Sequence, residues 1–257
     1  MRRRALAVGA AALLALVGCS GTPAAESTPT ATPSGVTGDL TVFAAASLQG
    51  AFDEIAAELA EQNPGVTVHP ITYDGSSTLA TQLLGGASAD VFASADEATM
   101  SEVDGKGEAT VFATNTLEIV VGPGNPLRIA SLADLAAVSS SGGKVILCAA
   151  EVPCGAASHT VLDGAGLTVT PVSEEQNVKA VLTKVRTGDA DAGLVYRTDV
   201  LAAGDTVEGV EFPESASAVN SYPIVALTRT DAAQAFVDLV LSDDGQRILA
   251  EHGFTAP

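Results

Sequence analysis

Two hydrophobic rhythms alternate along the chain. Short, nearly unbroken apolar runs at 40–47, 66–73, 91–93, 117–121, 144–149, 167–171, 192–196 and 222–227 read as strands buried on both faces. Between them, apolar residues recur at helical spacing over 48–62, 78–84, 97–107, 132–138, 156–165 and 178–187, and 232–252 holds one or two closing helices. Strand and helix in alternation predict an α/β fold with mostly parallel sheets. The breaker cluster Gly122-Pro123-Gly124-Asn125-Pro126 divides it. On that reading 39–121 plus 222–257 form lobe 1 and 122–221 form lobe 2, with two chain crossings about which the lobes close by a hinge. A single doubly wound domain is the alternative.

The first two units share a design. The run ending Ala44-Ala45-Ala46 delivers Ser47 to the start of a helix, and 66–73 delivers Asp74-Gly75-Ser76-Ser77 to the next one. First-turn N–H groups have no partner inside their helix, and the helix dipole is positive there. A hydroxyl placed at that point completes an anion site made of neutral donors. Ser47 and Ser76 also suit plain N-capping, a role compatible with ligand contact, whereas Ser77 and Thr78 read as cap and first turn alone. Tyr196 ends a buried strand, so its phenol needs a hydrogen-bond partner.

The N-terminus changes the setting. Arg2-Arg3-Arg4 precedes an apolar run over 5–17 that is short for a membrane span, so 1–18 reads as a signal peptide. Leu16-Val17-Gly18-Cys19 resembles a bacterial lipoprotein cleavage box, with Cys19 the lipidated first residue; an ordinary signal peptide is the alternative. Residues 19–38, rich in Thr, Pro, Ala, Ser and Gly, read as a flexible tether between the membrane and the folded part. Cys148 and Cys154 then face an oxidising compartment, either as a disulfide or as two buried thiols. A formal net charge of −19, more negative once the leader arginines are gone, disfavours nucleic acid as a partner.

Enzyme motifs are missing. The chain has no Gly-x-Ser-x-Gly elbow, phosphate loop or zinc signature, and His69, His159 and His252 fall in unrelated segments. Asp90 and Asp96 flank a strand and read as structural carboxylates. A secreted hydrolase using Ser47 would need a base nearby, and no histidine is close in sequence.

A set of motifs in fixed order carries a family resemblance. Ala44-Ala45-Ala46-Ser47-Leu48, Gly75-Ser76-Ser77-Thr78-Leu79-Ala80, the stretch from Gly86 to Asp96, Val152-Pro153-Cys154-Gly155, Asn177-Val178-Lys179-Ala180, Gly193-Leu194-Val195-Tyr196-Arg197 and His252-Gly253-Phe254 together resemble the periplasmic molybdate-binding proteins of ABC importers. The resemblance implies a two-lobe periplasmic-binding-protein fold and a molybdate or tungstate oxyanion held by Ser47, Ser76 and Tyr196 and by the backbone N–H groups of Cys154 and Val178. It implies no cofactor and no bare metal ion. The implied protein is a monomer on the outer face of the cell membrane that passes its ion to a membrane permease. Cys154 replaces an alanine usual in the family, a change that a backbone contact tolerates. A binding protein for sulfate, thiosulfate or another oxyanion is the nearest alternative.

Overall fold

The structure is a computed structural model that describes residues 35–103 and 107–257. The expected leader 1–18, Cys19 and nearly all of the expected tether lie outside the described residues. The chain runs through β1 (Thr37–Leu40), β2 (Val42–Ala45), a 3-10 turn, α1 (Gln49–Gln62), β3 (Gly65–Val68), β4 (Thr72–Asp74), α2 (Ser76–Leu84), β5 (Val91–Ala93), α3 (Glu97–Ser101) and β6 (Thr110–Asn115). It continues through β7 (Leu117–Val121), α4 (Leu132–Ser140), β8 (Val145–Cys148), α5 (Pro153–Gly164), β9 (Ser173–Glu175), α6 (Val178–Thr187), β10 (Ala192–Tyr196), α7 (Arg197–Ala203) and β11 (Glu208–Val210). β12 (Asn220–Ala226), α8 (Asp231–Leu241) and α9 (Asp243–Glu251) close it.

Two five-stranded sheets result, ordered β4-β2-β5-β12-β6 and β11-β7-β10-β8-β9, with β1 and β3 paired separately. Each sheet has a parallel half, β4-β2-β5 in the first and β10-β8-β9 in the second. Each also has antiparallel pairings, which involve β12 and β6 in the first and β7 and β11 in the second. β2, β7, β8 and β10 are buried along their whole length, as their unbroken apolar runs require. Each sheet has its own core. Phe52, Phe112, Tyr222 and Phe236 fill the first; Leu117, Ile119, Leu147, Leu194 and Tyr196 fill the second.

The crossing between sheets departs from the boundary expected at 121/122. β7, assigned from sequence to lobe 1, lies inside the second sheet between β11 and β10. The chain therefore crosses at Thr116, between β6 and β7. The Gly122–Pro126 cluster forms a local turn instead, in which the Asn125 N–H donates to the Gly122 carbonyl. The cluster signals chain reversal strongly, and nothing in its composition distinguishes a turn within a lobe from an exit between lobes. The return crossing falls just before Asn220, the first residue of β12.

Other departures have local causes. The run 66–73 contains Pro70, which has no N–H for a ladder, and it splits into β3 and β4. The run 167–171 forms no strand; β9 lies just beyond it at Ser173–Glu175, against β8. α5 starts at Pro153 rather than 156, because proline is favoured in the first turn, where its missing N–H costs nothing.

Candidate functional site

Five strands end at one cleft. The carboxyl ends of β2 and β4 lead to Ser47 and Ser76, and those of β8, β9 and β10 lead to Cys154, Val178 and Tyr196. In α/β sheets the crevice beyond the carboxyl ends of the strands is where ligands bind. All five residues line one cavity, with Ala45, Ala46, Asp74, Gly75, Ala95, Val152, Pro153 and Asn177 completing its wall. Its volume is about 20 Å³, on a scale where one water needs roughly 10–15 Å³. That is room for a compact ion with the cleft as it stands here. No Lys, Arg or His is among the lining residues.

The wall contributed by the first sheet is already wired to its own lobe. Ser76 begins α2, and its Oγ accepts the Ala95 N–H at 2.9 Å, which leaves the hydroxyl proton free to point elsewhere. Ser47 Oγ lies 3.0 Å from the Tyr222 hydroxyl. Tyr222 is held in turn by Asn115. Its Oδ1 accepts the Thr116 N–H at 3.0 Å, so its Nδ2 is the donor toward Thr198 Oγ1 at 2.8 Å and the Tyr222 hydroxyl at 3.4 Å. The Tyr222 oxygen, accepting from Asn115, keeps a second lone pair and its own proton, so either hydroxyl can donate in the Ser47 pair; where Tyr222 donates, the Ser47 proton is left for the cavity. Burial pushes the Tyr222 phenol up to a pKa above any working pH.

The wall contributed by the second sheet holds unpartnered donors. The N–H groups of Cys154 and Val178, at the starts of α5 and α6, donate to no protein group among the described residues. The Tyr196 hydroxyl is fully buried near the Tyr222 hydroxyl, but no group among the described residues stands in good hydrogen-bond geometry to it. Burial first, then Tyr222, Asp199 and Asp96 nearby, pushes that phenol well above its ordinary value, so it remains a neutral donor. An unmet buried hydroxyl costs about 1–3 kcal/mol, a cost that an acceptor in the cavity removes.

The second wall is held by other means. Cys148 and Cys154 form a disulfide with Cα atoms 5.7 Å apart, fixing the loop that presents the Cys154 N–H. Gly155 permits the loop's tight path, since a Cβ there would stand 1.8 Å from the Ala149 carbonyl oxygen. Asn177 caps α6 by accepting the Ala180 N–H at 3.0 Å. Lys179, next to Val178, lies 2.9 Å from the buried Asp199 carboxylate, whose other oxygen accepts the Tyr196 N–H at 3.2 Å. Asp199 thus ties two elements of the wall together. Burial pushes its own carboxyl up, against the pull of Lys179.

A hydrolase built on Ser47 finds no support in this geometry, because the partner of Ser47 is a phenol. His69 and His252 face Asp39 and Glu54 instead. Asp90 accepts the Thr41 N–H and the Thr228 hydroxyl, and Asp96 caps α3; both are structural. Sequence reasoning missed Asp74, Asn177, Asn115 and Tyr222. The first two stand in quoted motifs but read there as flanks, and the long-range pairing of Asn115 and Tyr222 leaves no trace in local spacing.

Residues 40–255 match the family described as bacterial extracellular solute-binding protein. The chain is 45% identical over 260 residues to the molybdate-binding protein ModA of Mycobacterium tuberculosis, covering 97% of this chain and 96% of that one. Among solved structures, the periplasmic molybdate-binding protein of Azotobacter vinelandii aligns with a TM-score of 0.69 at 22% identity, over 85% of this chain and 99% of the other. The sulfate-binding protein SubI of Mycobacterium tuberculosis aligns at 0.71 and 19%, over 85% and 86%. Both structural likenesses bear on fold alone. With a two-lobe fold, a cleft at the strand ends and a family match spanning most of its length, the chain belongs to the bacterial extracellular solute-binding proteins.

Proposed function

We propose that the protein captures molybdate, and tungstate in the same way, between its two lobes outside the cytoplasm. Lobe 1 is taken as 35–115 plus 220–257, and lobe 2 as 117–219. Ser47 and Ser76 donate hydroxyl protons from one side; Cys154 N–H, Val178 N–H and the Tyr196 hydroxyl donate from the other. The observation that carries the reading is the buried Tyr196 hydroxyl, unpartnered beside two unpartnered helix-start amides in a cavity sized for a small ion. A dianion with no proton of its own matches a wall of donors, and fixed neutral dipoles hold it without a counter-charge. The mycobacterial relative, named for molybdate and similar over nearly the whole chain, supports the choice of ion.

Sulfate is the second reading, since it too is a dianion with no proton of its own and matches a wall of donors. Calorimetric titration with molybdate, tungstate, sulfate and phosphate separates them. Tight, nearly equal binding of the first two and weak binding of sulfate is the expected result; tighter binding of sulfate overturns the molybdate reading.

The proposal extends to a lipid anchor at Cys19 and delivery of the ion to an ABC permease. Roughly 0.8 kcal/mol per buried methylene makes a multiply acylated cysteine a stable anchor. Cys19→Ala should move the protein from the membrane fraction to the medium, and retention on the membrane would refute the anchor.

A further inference from the structure

The seam beside the cavity is closer than side chains ordinarily permit. A Cβ built on Gly75 would lie 2.0 Å from the carbonyl oxygen of Gln176 and 3.5 Å from Val152 Cγ1. Gly75 belongs to the segment between β4 and α2, whereas Gln176 and Val152 belong to the segments after β9 and β8. The two sheets therefore meet backbone to backbone at this point. Gly75 itself has φ −58° and ψ 135°, values that any L-residue adopts without strain. Its own conformation gives no reason for a glycine, and the contact with the opposite sheet does.

Two hydrogen bonds cross the same seam. Asn177 Nδ2 donates to Asp74 Oδ1 at 2.8 Å, and that oxygen also accepts the Gly75 N–H at 2.8 Å. The Ser77 hydroxyl donates to the Glu151 carbonyl at 2.6 Å. Gly75 is flanked on both sides by these bonds and is followed by Ser76 in the cavity wall. A methyl group at 75 would hold the walls apart where both bonds must form.

We propose that Gly75 is the steric gate of lobe closure: its missing side chain lets the Ser76 wall reach the Gln176–Val178 wall, and a larger residue leaves the fold intact but the cleft ajar. The gate rests on the reading of the cleft as a closing anion site. It makes Gly75 a positioning residue, acting through the approach of the donors rather than by touching the ion.

The test compares wild type, Gly75→Ala and a control, Gly122→Ala, whose added Cβ would meet nothing within 4 Å. Affinity is read by calorimetry, closure by small-angle X-ray scattering with and without ion, and fold by the unliganded melting temperature. Molybdate, tungstate, sulfate and phosphate are each tried on wild type, and whichever compacts it is the probe for the variants. Gly75→Ala should melt like wild type without ion, bind roughly tenfold or more weakly, and fail to compact at saturating ion. Gly122→Ala should match wild type throughout. Equal affinity and compaction in Gly75→Ala overturn the gate. A large drop in its unliganded melting temperature also overturns it, by showing that the contact belongs to the unliganded fold. Wild type that compacts with sulfate and not molybdate refutes the ion assignment while the gate is still tested. Wild type that compacts with no ion removes closure and the gate together.

Discussion

The two walls of the cleft present the same kind of donor but prepare it differently. In the wall of lobe 1 each hydroxyl has a second job inside the protein: Ser76 Oγ accepts the Ala95 N–H and Ser47 Oγ pairs with Tyr222. In the wall of lobe 2 the Tyr196 hydroxyl and the Cys154 and Val178 amides have no protein partner. The first wall is oriented before any ion arrives. The second carries the unmet polar cost that an ion relieves. On the proposed function, affinity should draw on both walls, whereas the stability of the empty protein should depend on the serines and not on the tyrosine hydroxyl.

The largest effect expected is selectivity. A fully deprotonated oxyanion only accepts hydrogen bonds, and every proposed contact is a donor. Phosphate near neutral pH keeps a proton that needs an acceptor, and a buried donor left unpaired costs about 1–3 kcal/mol. Asp74 is the one lining carboxylate, and its Oδ1 already accepts from Gly75 and Asn177. Sulfate has no proton and is disfavoured by size alone, because hydrogen bonds weaken steeply when stretched or bent. Phosphate should not bind detectably and sulfate should bind far more weakly than molybdate. Competition titration in which either displaces molybdate at comparable concentration would break the idea of an all-donor shell.

The hydroxyl substitutions come next and address the comparison directly. Ser47→Ala, Ser76→Ala and Tyr196→Phe should each weaken binding by roughly tenfold or more, since a hydrogen bond to a charged group contributes about 1.5–3 kcal/mol. They should separate in unliganded melts. Ser76→Ala orphans the Ala95 N–H and should lower stability by about 1–3 kcal/mol, whereas Tyr196→Phe removes a hydroxyl with no partner and should leave stability equal or higher. Equal stability losses in the two variants would erase the distinction between the walls.

The disulfide gives a stability effect confined to lobe 2. Closing so short a loop contributes about 2–2.5 kcal/mol in the chain-entropy model. Reduction, or a double Cys148→Ser/Cys154→Ser substitution, should lower the melting temperature and leave ion binding measurable, because the proposed contact is the residue 154 amide. Two alkylatable thiols in oxidised protein would refute the bridge. A smaller effect belongs to Tyr222→Phe, which removes the hydroxyl that pairs with Ser47 and orients it beside the cavity. Affinity should fall roughly two- to tenfold, and the loss should not add to that of Ser47→Ala, since both act through one group. Additive losses in the double mutant would disconnect the chain from Asn115 to Ser47.

What the sequence disclosed follows the same division. Strand ends and helix starts are local, so Ser47 and Ser76 stand out as candidates from the sequence, whereas for Tyr196 the sequence shows only a buried phenol in need of a partner and the resemblance supplies the ion. The contacts proposed for Cys154 and Val178 are backbone N–H groups, so their side chains carry no signal, and only resemblance points to them. The pairing of Tyr222 with Ser47 spans 175 positions and is invisible to periodicity. The chain passes between sheets at Thr116 rather than at Gly122–Pro126, because that cluster announces a turn more loudly than Thr116 announces a crossing. Gly75 belongs to a motif whose sequence does not disclose the reason for a glycine, which lies in the Gln176 carbonyl on the opposite wall.

The smallest effect is a difference in pH response between the walls. The helix of lobe 1 that carries Ser76 begins beside the Asp74 carboxylate, which is held by neutral donors, whereas α6 in lobe 2 is tied by ion pairs, with Lys184 paired to Glu175 and Lys179 to Asp199. Partial burial pushes the Glu175 carboxyl up from its ordinary 4.5, but hydrogen bonds from Lys184 and Ser173 and the Lys184 charge outweigh it, and the net shift is downward. A carboxyl depressed in the fold stabilises the protein above its unfolded value, and the contribution fades as pH falls through the lower folded value. Asp199 shifts the other way: its ionised form is disfavoured by burial, a cost that sets in as pH rises through its elevated value and is relieved on acidification. Lys184→Met isolates the Glu175 contribution because it leaves Asp199 and Lys179 untouched. The pair is partly exposed, so the difference in stability between wild type and Lys184→Met near neutral pH should be only about 0.2–1 kcal/mol. That difference should shrink toward zero by roughly pH 3, below the ordinary carboxylate range. Thermal melts of both proteins across that range measure it, and a constant difference at every pH would mean that Lys184 supports the wall by packing its stem rather than by charge.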